Sequence, residues 1–571
     1  MKKLYALTLA ASCLLSAAAA QPETVTNFKA PEGHQALRSQ LVSNPKARAQ
    51  FRTDAKTQAS RHKAPGRRQV VAGPSASDKF ISETPAGTLT VMEKTGIGFA
   101  NVFGWQIKTT LEGSLAKVVR DGDKIYLWPP FSQYISNGWM EGTVKDDVAT
   151  FQLPQHVNHE DYYGEIYDDY AVKLEFIDDD EGGWYYPSED QAYQLKINAD
   201  GTYTAVDKEA QLGMCSWYED EGEWDWYGVG DCIASLVPLT KEVPALPETA
   251  KFDDWYMVNT DGTASVMPIS IDGSKVYFKN PYQVAADDEL YNSYIEGTLA
   301  DGTITVKSGQ FLGLDWTTAS TLYYTGESAT EVYDEEYDEY VTEYEYLDEL
   351  TMKYDADKKI ITCDGAMSIG YDPKCEAGSF VTYLRPTFKY QAPDTKIESV
   401  DNPEILTFNA PEGYDAEFWF TLSQINAQDQ IIDASKLYYS IYLDGELFTF
   451  YSDEYPGLPG DAAESTEIPF GYNNEYEFYG YGARHCVVIY PEGMETLGVQ
   501  LIYKDGEKEL KSDIVTCDAA GIRSTVANGQ LQSETYYDLQ GRRVTNPAAG
   551  LYIRRAVYTD GTIETTKLCK R

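Results

Sequence analysis

Five histidines occur in the 571 residues, and only His156 and His159, in QHVNHEDYY, stand close enough to share a ligand. Two imidazoles with Glu160 and Asp161 beside them suit a transition metal if a turn brings the rings together. No distant third ligand is evident, so the segment reads as a solvated loop after a strand. A glycosidase needs two carboxylates roughly 5 to 10 Å apart. Among 90 Asp and Glu such pairs arise from composition alone. Asp178, Asp179, Asp180 and Glu181 offer hard oxygen donors that suit Ca2+, although such a run reads first as a solvated loop. There is no GxSxG elbow, HExxH helix, phosphate-binding glycine loop or EF-hand spacing. No catalytic residue is named, and no cofactor beyond calcium is implied.

The sharpest local pattern is CSWYEDEGEWDWYGVGDC, residues 215 to 232, in which Trp217, Tyr218, Trp224, Trp226 and Tyr227 stand among six acids. Aromatic faces beside carboxylates supply what a sugar ring needs, an apolar platform and hydroxyl acceptors. If the segment is a loop, those five residues form a ligand-binding platform. Three Trp in a hairpin also serve as core residues, because Trp is highly buried on average.

The elements that must position these groups are strands. Asp-Gly recurs at 121, 200, 261, 272, 301, 364, 444, 505 and 560 between alternating segments, a hairpin signal. The fold class is therefore all-β. One frame occurs twice: DGDKIYLWPPFSQYISNGWMEGTVKDDVATFQLPQ from 121, and DGSKVYFKNPYQVAADDELYNSYIEGTLADGTITVKSGQ from 272. It pairs Asp121 with Asp272, Lys124 with Lys275, Tyr126 with Tyr277, Glu141 with Glu296 and Gln155 with Gln310. Two tandem antiparallel β repeat units, 81–240 and 241–392, follow from that spacing. In the second, EVYDEEYDEYVTEYEYLDEL alternates so that Tyr340, Tyr344 and Tyr346 share one strand face and Glu343 and Glu345 the other. Residues 400–517 carry strands such as LYYSIYLDGELFTF, whose pattern resembles fibronectin type III or immunoglobulin-like sandwiches.

The formal charge is -43, yet residues 29 to 70 hold ten Lys or Arg against two acids. That stretch, within a leader spanning 21–80, reads as a flexible basic linker. The acidic body repels nucleic acid, whose binding needs clustered Lys and Arg. Lys2, Lys3, the apolar run Leu4 to Leu15 and the small residues before Gln21 read as a cleaved secretory signal over residues 1–20. No later segment is long and apolar enough for a transmembrane helix. In an oxidising compartment the simplest local disulfides join Cys215 to Cys232, Cys363 to Cys375 and Cys486 to Cys517, leaving Cys569. Free thiols are the alternative.

The tail, residues 518–571, ends in TYYDLQGRRVTNPAAGLYIRRAVYTDGTIETTKLCKR. It resembles the C-terminal sorting domain of proteins exported by the type IX secretion system of Bacteroidetes. The matching residues are Tyr537, Asp538, Gly541 and Arg542, then Gly550 and Tyr552, then a basic end. The body resembles uncharacterised secreted proteins of the same bacteria. By that resemblance the partner of the tail is the secretion machinery, and the chain is secreted or held at the outer cell surface. Duplication, export and clustered aromatics lead to the expectation of a non-catalytic binding or adhesion protein for a glycan or host surface protein. A secreted hydrolase and a structural surface component are the alternatives.

Overall fold

The computed structural model describes residues 71–74, 79–102, 105–162, 165–177, 184–219, 222–259, 261–334, 339–409, 416–451, 464–473, 478–489 and 495–518. It also describes the backbone of 531–537, 543–544, 550–558 and 563–570. The signal segment and most of the leader lie outside these residues, as do Asp178, Asp179, Asp180, Glu181, Asp538, Gly541 and Arg542. Regular structure among the described residues is antiparallel strand, with two short 3-10 turns at Glu289–Asn292 and Ala434–Lys436. The chain divides into two compact units, residues 1–260 with 264–393, and 261–263 with 394–571.

The first unit begins with β1 (Thr88–Val102), β2 (Trp105–Thr110), β3 (Leu115–Asp121), β4 (Lys124–Trp128), β5 (Met140–Lys145), β6 (Val148–Gln152) and β7 (Gln155–Tyr162). There follow β8 (Glu165–Ile177), β9 (Trp184–Pro187), β10 (Ala192–Ile197), β11 (Tyr203–Ala205), β12 (Gln211–Tyr218) and β13 (Glu223–Pro238). Strand β1 pairs with both β3 and β13, which closes β1-β3-β4-β5-β6-β10-β11-β13 into a ring. Closure removes the exposed edges that an open sheet must protect. Alternation along each strand fills the interior with Met92, Val118, Leu127, Phe151, Tyr193 and Leu195. Strands β7, β8 and β12 extend from the long β13 as a further layer, with β9 on β8. One charged pair is sealed inside: Lys94 Nζ lies 3.1 Å from Asp231 Oδ2 with both side chains fully buried. Lys94 also donates to Pro130 O and Ser132 Oγ, and Ser132 Oγ donates to Asp231. The bonds fasten the β4–β5 connection to the β1–β13 seam.

The rest of this unit comprises β14 (Asp253–Val258), β15 (Ala264–Asp272), β16 (Lys275–Lys279), β17 (Tyr294–Ala300), β18 (Thr303–Lys307), β19 (Gln310–Asp315) and β20 (Ser320–Asp334). It ends with β21 (Glu339–Leu347), β22 (Glu349–Asp355), β23 (Ile360–Cys363), β24 (Ala366–Gly370), β25 (Ser379–Leu384) and β26 (Thr387–Tyr390). Strands β14-β15-β16-β17-β18-β22-β23-β26 form a second closed barrel, and β19-β20-β24-β25 with β21 form the sheet beside it. In each ring a long hairpin leaves after the fifth strand, β7–β8 in one and β19–β20 in the other. A backbone bridge between Ser114 and Ser320, with Leu115 N–H donating to Ala319 O at 2.7 Å, ties the first ring to the β19–β20 sheet.

The residues of the doubled frame make the same contacts twice. Gln155 Oε1 accepts from Glu141 N (2.7 Å), and its Nε2 donates to Glu141 O (2.7 Å) and Gln152 O (3.0 Å). Gln310 Oε1 accepts from Glu296 N (2.8 Å), and its Nε2 donates to Glu296 O (2.9 Å) and Lys307 O (2.8 Å). The side-chain amide thus satisfies the backbone groups of one β5 or β17 residue as a neighbouring strand would. Lys124 pairs with Glu141 and Lys275 with Glu296.

The second unit holds β27 (Glu404–Asn409), β28 (Ala416–Thr421), β29 (Leu437–Leu443), β30 (Glu446–Leu447), β31 (Phe450–Tyr451) and β32 (Glu464–Ser465). Next come β33 (Ile468–Pro469), β34 (Phe478–Tyr481), β35 (Arg484–Ile489), β36 (Thr496–Asp505), β37 (Lys508–Lys511) and β38 (Val515–Asp518). Sheet β27-β28-β35-β34 and sheet β30-β29-β36-β37, with β33 on β29 and β38 on β36, share one core of Phe418, Phe420, Tyr439, Ile441, Val487, Val499 and Leu501. The tail backbone forms β39 (Leu531–Tyr537), β40 (Arg543–Val544), β41 (Gly550–Tyr558) and β42 (Ile563–Lys570), in the order β40-β39-β41-β42. Tyr537, Gly550 and Tyr552 are on these strands.

Two local expectations change. The six described cysteines, Cys215, Cys232, Cys363, Cys375, Cys486 and Cys517, form none of the expected disulfides. Strand register explains the first pair: Cys215 faces Trp226 on β13, whereas Cys232 faces Ile97 on β1. Burial pushes the thiol of Cys363 up to about 11 and that of Cys486 up to about 12, so both stay protonated. The Asp-Gly turns are also not all of one kind. Asp301-Gly302 and Asp444-Gly445 have positive φ at both residues. At 121, 272 and 505 the Asp closes the strand pair, facing Lys124, Lys275 and Lys508, and the Gly opens the turn. Asp146-Asp147, without a glycine, makes another turn with two positive φ values.

Candidate functional site

The hairpin β7–β8 carries both histidines of QHVNHEDYY on a strand rather than in a loop. Residues three apart on a regular strand point to opposite faces. Here the register shifts between His156 and Asn158: His156 faces Tyr170, Asn158 faces Asp169 and His159 faces Asp168. The extra residue, Val157, is buried in the barrel core. The bulge therefore returns His156 and His159 to one face, together with Asp168 and Tyr170.

On that face His159 Nδ1 lies 2.6 Å from Asp168 Oδ1, and His156 Nε2 lies 3.1 Å from the same oxygen. The three donor atoms lie within 4.8 Å of one another. His156 is held between Phe80, at 4.7 Å between ring centroids, and Tyr170, at 4.9 Å. The backbone of His159 is pinned by Asn137, whose Nδ2 donates to His159 O and whose Oδ1 accepts from His159 N. Behind the hairpin, Asn158 donates to the fully buried Asp169 at 2.9 Å, which fixes the register. His156 is 14% exposed, against 48% for His159 and 42% for Asp168, so the first ring is packed in place and the other two side chains meet solvent.

From His156 an aromatic row crosses the sheet. Tyr170 meets Trp224 edge-on at 5.2 Å, and Trp224 meets Trp217 at 5.1 Å. The stretch read as a loop platform is thus mostly the β12–β13 hairpin. Trp224 is 3% exposed and Trp226 is 2%, and Trp226 packs on Phe99 and Tyr185 in a satellite core. Trp226 is a packing residue, because a large ring at an inward strand position gains more by burial than by display. Trp217 and Tyr218 are half-buried. Tyr227 lies on β13, and its side chain is outside the described residues.

The row is covered at one end by the chain itself. Trp224 Nε1 donates to Ala72 O at 3.1 Å, and Val71 joins the satellite core. A Cβ placed on Gly73 falls 2.4 Å from Cζ2 of Trp217, so the backbone lies against the indole at a distance only glycine permits. Phe80 continues across His156 and His159. Sequence reasoning treated residues 71–80 as linker, and it missed Asp168. Counting back from the paired Tyr162 and Glu165, His159 falls opposite Asp168.

No protein-family model matches the chain, and no curated protein matches it.

Proposed function

We propose that this chain is an exported, non-catalytic recognition protein whose binding surface is the aromatic face of β8, β12 and β13. Its ligand class is extended polypeptide. The observation that carries this reading is occupancy: residues 71–74 lie along Trp217 and Trp224, with a backbone carbonyl on an indole N–H and a glycine against a ring face. An indole N–H beside a flat ring accepts any extended segment with a small residue at the right place. The intramolecular segment stands where a partner's peptide would.

The test compares the full chain with Gly73→Val, which drives residues 71–74 off Trp217, on arrays of peptides and glycans. The variant gains binding to glycine-containing extended peptides, and adding Trp217→Ala removes the gain. Binding to glycans alone, or no gain on either array, refutes the reading.

The two barrels are read as copies of one duplicated unit, supported by their strand order and by the paired Gln155 and Gln310 contacts. The second unit is read as an immunoglobulin or fibronectin III-like sandwich, supported by two antiparallel sheets around one core. The tail is read as the address for type IX export. Cells expressing a chain ended at residue 517 should retain it, whereas the full chain should reach the surface; equal surface display would refute that role.

A further inference from the structure

We infer that His156, His159 and Asp168 form a binding site for a zinc-class divalent cation, at the edge of the β7–β8 hairpin and independent of peptide recognition. Three features carry this. The first is donor chemistry: two imidazole nitrogens and one carboxylate oxygen suit Zn2+ and its neighbours, whereas Ca2+ and Mg2+ want oxygen alone. The second is convergence. The bulge at Val157 undoes the strand alternation that would have separated the two rings, and the hairpin register then sets Asp168 opposite His159. His159 Nδ1 and His156 Nε2 both lie near one oxygen, Asp168 Oδ1, at 2.6 and 3.1 Å, and His156 Nε2 also lies 2.9 Å from Asn158 O, a contact that a cation would have to replace.

The third is the division between fixed and adjustable parts. Bonds of about 2.0–2.1 Å to a tetrahedral ion hold donor atoms about 3.3 Å apart. The His159 and Asp168 side chains, both close to half exposed, have room to open by that amount. His156, held between Phe80 and Tyr170, and the His159 backbone, held by Asn137, keep the site from dispersing. Three protein ligands leave a tetrahedral ion one position for water or an incoming group. The hydrogen bond between His159 and Asp168 has to open for a cation to enter.

The experiment is titration of the full chain with ZnCl2 and separately with CaCl2 by calorimetry, in wild type, His159→Ala and Asp168→Asn. Both substituted side chains are close to half exposed, so the hairpin folds without them. The inference predicts one Zn2+ equivalent in wild type, weakened at least tenfold in each variant, with no Ca2+ heat at this site. Substituting Co2+ reads the ligands directly: nitrogen and oxygen donors give weak visible bands without the intense near-ultraviolet thiolate band that the free cysteines would produce. Absence of Zn2+ binding, unchanged affinity in the two variants, or a thiolate band that persists in them would overturn it.

Discussion

Replacing Gln155 or Gln310 by Ala removes a side chain that acts as a missing strand. Each Gln makes three hydrogen bonds at 2.7 to 3.0 Å, two of them to the backbone N–H and C=O of Glu141 or Glu296. Net values of about 0.5 to 1.5 kcal/mol per bond bound the loss at about 1.5 to 4.5 kcal/mol. The third bond is exposed in both copies, so water recovers part of it, and about 2 kcal/mol per substitution is the expectation. For a barrel of this size that corresponds to a fall in Tm of about 4 to 8 °C. Gln310→Glu is the sharper variant, because a carboxylate still accepts from Glu296 N–H but sets an anion against two carbonyl oxygens. It should cost more than Ala at neutral pH, and less once acid protonates the introduced carboxyl. The assay is urea unfolding of the full chain, with hydrogen–deuterium exchange of peptides spanning β5 and β17 to localise the change. A loss below about 0.5 kcal/mol in either copy, or a large loss in one with none in the other, would refute the equivalence of the two clamps.

The sealed pair of the first barrel gives a second expectation: Asp231→Ala strands the Lys94 ammonium and costs about 3 to 5 kcal/mol, while Lys94→Met with Asp231→Leu recovers most of it. A double variant as unstable as the single one would contradict this. In the second unit His485 is packed against Phe420, Tyr439 and Phe470, and burial pushes its imidazole down to about 4. The unfolded chain takes up this proton near pH 6.5, so stability is full above that pH and falls as pH drops from about 6.5 to about 4, by about 3 kcal/mol in total. His485→Phe should flatten that segment of the pH–stability curve; an unchanged slope would contradict the assignment.

The doubled frame was legible because its residues bond to one another, so two copies of one hydrogen-bond set demand the same types at the same spacing. The strand over residues 339 to 347 was legible for a similar reason, with Tyr344 buried and Glu343 and Glu345 exposed on β21. Acid and tyrosine at period two leave a strand little choice of face. The cluster of His156, His159 and Asp168 was only half legible. Its histidines are close in sequence, but the bulge that aligns them is one residue of register, and strand alternation alone assigns them to opposite faces. Which Trp would be displayed was illegible, because residues 71–74 settle on Trp217 and Trp224 across about 150 positions of sequence. Contacts that distant leave no local periodicity to read.

In the proposed function the Trp217 and Trp224 face recognises extended peptide, and the chain's own residues 71–74 lie on it. The most direct test is fluorescence anisotropy of a labelled synthetic QVVAGPSA peptide, residues 69 to 76, against the full chain and Gly73→Val. The expected result is saturable binding to Gly73→Val, at least tenfold weaker binding to the wild type, and loss of binding when Trp217→Ala is added. Equal affinity for both chains, or no binding to a folded Gly73→Val protein, would contradict it.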